Sequence, residues 1–105
     1  MGSVVLYVTT SSEEEAARIG RALVAERLVA CANVLGRVRS FYHWQGELQD
    51  DAEAVLVAKT REERVAAVTE RIRALHSYTL PCVVALPIVG GNEAFLDWIA
   101  AETGA

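Results

Sequence analysis

Two long arms of strand character, facing each other across a two-residue turn, constrain this chain more than any other feature. Residues 30–44 read as one strand and residues 47–60 as the next. Gln45-Gly46 is the tight turn between them, a weaker signal than Asn-Gly. Each arm runs to about 14 residues, against ~5–6 for an ordinary strand. A sheet covered by helices needs only the inner half of such arms, so the outer half must project. On that outer half Tyr42 and Trp44 point one way, while Phe41 points the other way beside His43. Aromatics on both faces of a projecting ribbon would leave a large apolar patch on a monomer, which argues for assembly through Phe41, Tyr42 and Trp44.

The flanking segments complete the architecture. "VVLYVTT" at residues 4–10 is short and β-branched, as a buried strand should be. A helix follows, capped by Ser11 or Ser12 with Glu14 or Glu15 three residues on. Ala16, Ile19 and Leu23 mark its apolar face. After the hairpin, Thr60 and Glu63 suggest a second capping box, and Val65, Val68, Ile72 and Leu75 form the next helical stripe. "CVVALPI" is a last strand. Gly90-Gly91-Asn92 then breaks the chain before a short helix with Phe95, Trp98 and Ile99 on one side. The order β-α-β-β-α-β plus a C-terminal helix predicts an α+β fold, a ferredoxin-like split βαβ sandwich with a long central β-hairpin. Its first and third strands are central, and its second and fourth lie at the edges.

Composition excludes several classes of function. The 105 residues suit a single domain, 1–105, with no linker, repeat or low-complexity segment. A net charge of -4 and a pI near 5.1 argue against nucleic acid or an anionic membrane as partner. No apolar run approaches the ~20 residues of a membrane span, and "MGSVVLYVTT" lacks the marks of a signal peptide. Two cysteines without a secretion signal predict reduced thiols and a cytoplasmic location.

Several short motifs, taken in order and spacing, carry a resemblance that covers nearly the whole chain. They are Ala30-Cys31-x-Asn33, the tip Tyr42-x-Trp44-x-Gly46, Lys59-Thr60, and "LPI…G" with a late "WI". Together they resemble the CutA family, associated with tolerance of divalent cations. The resemblance implies a ferredoxin-like subunit, a tight homotrimer knitted by its hairpins, and a link to copper and other divalent ions without an established enzymatic reaction. It also exposes departures. The family pattern near the second helix exit reads approximately His-Pro-Tyr-x-x-Pro-Glu. This chain keeps His76, Tyr78 and Pro81 but has Ser77 for the proline and Cys82 for the glutamate. Exchanging a carboxylate for a thiol would favour Cu(I) or Zn over a hard cation.

The candidate metal ligands are His76, Cys31 and Cys82, each with a structural alternative. His76 can cap the last carbonyls of its helix, and both cysteines can pack as small hydrophobes. A disulfide between them is not expected within one subunit, because they fall on opposite edge strands. A ligand cleft is expected to draw on Asn33, Lys59, Tyr78 and Trp98, with the Lys59 stem against apolar surface. Arg37 and Arg39 are expected to pair with the acidic run Asp50, Asp51 and Glu53 across the hairpin. No nucleophile with an adjacent base, paired carboxylates in an apolar setting, or cofactor motif stands out, so the chain reads as no enzyme. The favoured function is a non-enzymatic trimer for divalent cation tolerance. It would bind copper or another divalent cation, none of them required for folding, with a possible ligand cleft between subunits. The alternatives are a small-molecule-sensing signalling trimer and a trimeric anchor for a partner protein.

Pro81 biases Leu80 toward extended geometry and so fixes the start of the last strand. Pro81→Ala is expected to loosen this corner and cost about 0.4–1 kcal/mol in thermal unfolding. Unchanged stability together with lost copper binding would instead assign the corner to a ligand.

Overall fold

In the computed structural model, which describes residues 2–104, the chain folds in the expected order. The elements are β1 (Ser3–Thr10), α1 (Glu13–Ala25), β2 (Cys31–Trp44), β3 (Glu47–Arg61), α2 (Val65–Leu75), β4 (Val83–Pro87) and α3 (Glu93–Glu102). The sheet is antiparallel with strand order β2-β3-β1-β4, so β1 and β3 are central and β2 and β4 are the edges. This is the α+β, ferredoxin-like arrangement.

Strand alternation divides the sheet into two unlike faces. Leu6 and Val8 of β1 and Ala54, Leu56 and Ala58 of β3 pack against Ile19 and Leu23 of α1 and Val68 and Ile72 of α2. These side chains are fully or almost fully buried, and each buried Leu, Ile or Val contributes about 1.5–3 kcal/mol. Helix α1 lies so close to the sheet that a Cβ on Gly20 would stand 3.0 Å from Leu56 Cδ1 and 3.3 Å from Ala32 Cβ. A methyl group there would have to push a neighbour aside by a few tenths of an ångström. On the opposite face Tyr7, Leu35, Val84 and Leu86 remain 39–51% exposed, an apolar surface that the subunit itself leaves uncovered.

The hairpin departs from a plain ladder at two places. At its tip Gln45 and Gly46 both take positive φ, 52° and 82°, as a type I′ turn requires. Near its root the ladder slips between Leu35 and Arg37. Leu35 faces Val55 while Arg37 faces Ala54, so Gly36 is the extra residue of a bulge. Beyond the bulge the even-numbered residues of β2 share a face with the odd-numbered residues of β3. Tyr42 and Trp44 therefore stand on the same side as Asp51 and Glu53. Strand β1 ends at the Thr10–Ala54 pair, and residues 47–53 of β3 run on for about 20 Å without a neighbour on that side.

The termini of the helices correct two expectations. Thr60 does not cap α2. It is fully buried, and its hydroxyl donates to Leu28 O at 2.7 Å. A single 3-10 turn, Glu62–Arg64, comes first, and α2 starts at Val65 without a side-chain cap. In α3 only Ile99 of the expected apolar side is buried, whereas Phe95 and Trp98 are both 41% exposed and stack on each other at 5.4 Å. The C-terminal end of α3 is tied down by polar contacts instead. Arg61 and Arg64 each donate to Thr103 O at 2.9 Å.

The cap of α1 does more than end a helix. Glu15 N–H donates to Ser12 Oγ at 3.1 Å, while the Glu15 carboxylate accepts from Ser11 N–H and the Ser11 hydroxyl. Its other oxygen accepts from Ser77 N–H at 2.7 Å, joining the start of α1 to the exit of α2. Burial alone would raise this acid, but the hydrogen bonds from Ser11 and Ser77 outweigh it and hold the carboxyl at about 2, against 4.5 ordinarily. The unfolded chain therefore takes up the proton first as pH falls. The stabilisation is complete above about pH 4.5 and is lost between there and about pH 2. Glu15→Gln is expected to cost about 2 kcal/mol at neutral pH and to flatten the acid limb of a Tm-against-pH curve. An acid limb identical to that of the parent chain would contradict this account.

Candidate functional site

The site begins where α2 stops. His76 takes extended backbone angles, φ -79° and ψ 144°, and its N–H still closes the last helical bond, to Ile72 O at 2.8 Å. The following N–H groups turn inward. That of Ser77 goes to Glu15, and that of Tyr78 donates to His76 Nδ1 at 3.0 Å. With Nδ1 an acceptor, Nε2 carries the hydrogen and donates to Thr9 O at 2.8 Å. The imidazole is wholly inaccessible, and the Tyr78 ring lies 4.7 Å from it. Both ring nitrogens are committed to the main chain, which makes His76 the pin that fastens the end of α2 to the end of β1.

Tyr78 projects from this corner toward β3, and its hydroxyl donates to Glu53 Oε2 at 2.7 Å. One step along the same face, the Tyr42 hydroxyl donates to Asp51 Oδ2 at 2.6 Å. Burial first and the Glu53 carboxylate second raise the Tyr78 phenol well above its ordinary range. The hydrogen bond to Asp51 pushes Tyr42 up to about 12. Both phenols thus remain donors at any physiological pH. Of the acidic run, only Asp50 meets the expected partner, a two-pronged pair with Arg39 at 2.9 Å for each bond.

Between the corner and the hairpin tip lies a cavity of about 630 Å³. Tyr42, His43 and Trp44 line it from the hairpin and Glu53 from β3. Ser77, Tyr78, Thr79, Leu80 and Cys82 line it from the segment between α2 and β4, and Thr9 from the end of β1. Glu53 is buried, only 7% exposed, although no lysine, arginine or histidine pairs with it among the described residues.

The residues singled out in the sequence fall into separate places. Cys82 lines the cavity, but His76 lies behind it and Cys31 is on β2 at the far edge of the sheet. Three strand spacings, about 14 Å, separate the positions of the two free thiols, too far for a disulfide within the subunit. No group of three or more His, Cys, Asp or Glu side chains is set to hold a metal among the described residues. The expected cleft divides as well. Lys59 Nζ reaches Asn33 Oδ1 at 3.2 Å and lies 3.9 Å from Cys31 Sγ, whereas Tyr78 is at the cavity, about 20 Å away along β3. Trp98 is on α3 with Phe95. Sequence reasoning missed His43 and Glu53 as cavity residues. The available signal was Gly36, since a glycine inside a long strand marks a bulge, and this bulge decides which side chains share a face.

Residues 4–102 match the family described as CutA1 divalent ion tolerance protein. The divalent-cation tolerance protein CutA of Thermus thermophilus is 47% identical over 100 residues, covering 95% of this chain and 97% of its own. The chloroplastic CutA 1 of rice is 43% identical, and the present chain spans 57% of its length. Among solved structures, a divalent cation tolerance protein of Thermus thermophilus superposes with a TM-score of 0.94 at 46% identity, over 97% of this chain and 99% of that one. The periplasmic divalent cation tolerance protein CutA of Archaeoglobus fulgidus gives 0.93 at 40% identity, over 96% and 98%. With the split βαβ sheet and the long hairpin both in place, this chain belongs to the CutA1 divalent ion tolerance family.

Proposed function

We propose that the protein acts in divalent cation tolerance as a homotrimer that binds copper, or a cation of similar softness, and catalyses no reaction of its own. The observation that carries this reading is Glu53, a buried carboxylate whose one hydrogen bond comes from a phenol, facing a cavity that Cys82 and His43 also line. A thiol in the same cavity as a carboxylate favours Cu or Zn over Mg or Ca. The metal is cargo in this reading, and we assign the stability of the fold to the buried core already described. No helix among the described residues is long and apolar enough to cross a membrane, and we assign the protein to the cytoplasm, where both thiols stay reduced.

Two features support the trimer. One is the apolar sheet face around Tyr7, Leu35, Val84 and Leu86, and the other is the hairpin tip, where Phe41 is 62% and Trp44 42% exposed. Contiguous exposed apolar surface of this kind marks an interaction site on a soluble protein. Light scattering at micromolar concentration is expected to give three times the protomer mass of 11.4 kDa, with Leu86→Asp and Trp44→Ala each shifting the population toward smaller species. A monomeric mass for the parent chain would end this reading.

For the metal, copper titration of the intact protein is expected to show binding that weakens at least tenfold in Cys82→Ser and in Glu53→Gln. Acidification should weaken it further, because protons compete for the carboxylate and the thiolate. Cys31→Ser should leave it unchanged. Loss of binding in Cys31→Ser alone would move the site to the Lys59 side of the sheet. Volume favours the second reading, small-molecule sensing, since the cavity far exceeds a single ion.

A further inference from the structure

A bare or hydrated metal ion would leave most of this cavity empty. One water occupies about 30 Å³ in the liquid, whereas pockets for small organic ligands run to about 300–1,000 Å³, a range that includes the 630 Å³ found here. The walls are also wrong for an ion alone. Tyr42, Trp44 and Tyr78 present aromatic surface and Leu80 adds aliphatic surface, which metal coordination does not use.

The charge of the lining selects the ligand's sign. No lysine or arginine lines the cavity. Glu53 gives Oε2 to the Tyr78 hydroxyl, while Oε1 has no hydrogen bond from any described residue. Glu53 has no ion-pair partner among the described residues, and its unbonded Oε1 is open to the cavity, so a cation entering there can pair with it directly. Asp51, on the same face of β3, and Glu15, behind the Ser77 N–H, add to the negative potential. Aromatic faces around such a charge suit a cation further, through the ring quadrupole. The Ser77 and Thr79 hydroxyls can accept hydrogen bonds, which favours an ammonium bearing N–H groups over a quaternary one.

The geometry points to this cavity as a binding site for a small primary organic ammonium, with its charged head on Glu53 Oε1 and its hydrocarbon body between Trp44 and Leu80. The inference rests on the reading of the cavity as a cation site and adds a second class of cation to it. Metal and amine would then exclude one another, since both would sit against Glu53.

The test is isothermal titration calorimetry of the intact oligomer with phenethylammonium chloride, beside 2-phenylethanol as its neutral counterpart. Saturable binding of the ammonium is expected, at least tenfold tighter than that of the alcohol, and Glu53→Gln should weaken it at least tenfold. Cys31→Ser, at the far edge of the sheet, should leave it within about twofold. No heat from the ammonium at millimolar concentration, or equal affinity for the alcohol, would overturn the inference. The alcohol arm needs no variant to fold. Copper binding untouched by Cys82→Ser, with ammonium binding intact, would overturn the metal ligands alone.

Discussion

The hairpin outruns its neighbour, and most of what distinguishes this molecule follows from that mismatch. Strand β3 is 15 residues long and β1 only eight, so the paired sheet stops at Thr10 while β3 continues. A strand edge left bare over residues 47–53 presents unpaired backbone groups and invites covering. The segment between α2 and β4 occupies the space beyond the end of β1, and the gap between that segment and the hairpin is the cavity. The aromatic tip, the exposed Cys82 and the buried Glu53 therefore meet at one place because two strands differ in length.

The corner itself is held by a small set of polar bonds with no loose ends. Glu15 ties Ser11 to Ser77, and His76 ties Thr9 to Tyr78, so two side chains fasten residues 9–15 to residues 76–78. No buried side-chain nitrogen or oxygen among the described residues lacks a partner. Such a network rigidifies because breaking any bond strands a group in a low-dielectric interior. His76 is in this sense a structural residue. Its position beside the cavity comes from its place at a helix exit, and its nitrogens serve the main chain.

Cys82 has a physical consequence in this setting. Its side chain is exposed and lines the cavity, so it sets the chemistry of that surface and takes no part in the corner network. Glu53 accepts the Tyr78 hydroxyl bond, and the lining offers one hard oxygen donor and one soft sulfur donor. The Lys59, Asn33 and Cys31 cluster at the other end of the hairpin is polar and separate, on the open face of the sheet.

The sequence by itself determined the element order, the strand order and the length of the hairpin. Those depend on local periodicity, which survives in a linear string: Ile19 and Leu23 at helical spacing, β-branched runs in β1 and β3, Gln45-Gly46 at the turn. The resemblance of its motifs to the CutA family was legible for the same reason, since each is a short run of residues. Only the tertiary structure decided which side chains meet. The single-residue slip at Gly36 reverses the facing of β2 relative to β3 beyond it, and one slipped register moves every side chain to the other side. That is why Tyr42 and Trp44 stand with Glu53, and why Arg39 takes Asp50 and leaves Glu53 to a phenol. Periodicity records which face of its own element a residue occupies, but the register between elements is set by packing across the whole sheet.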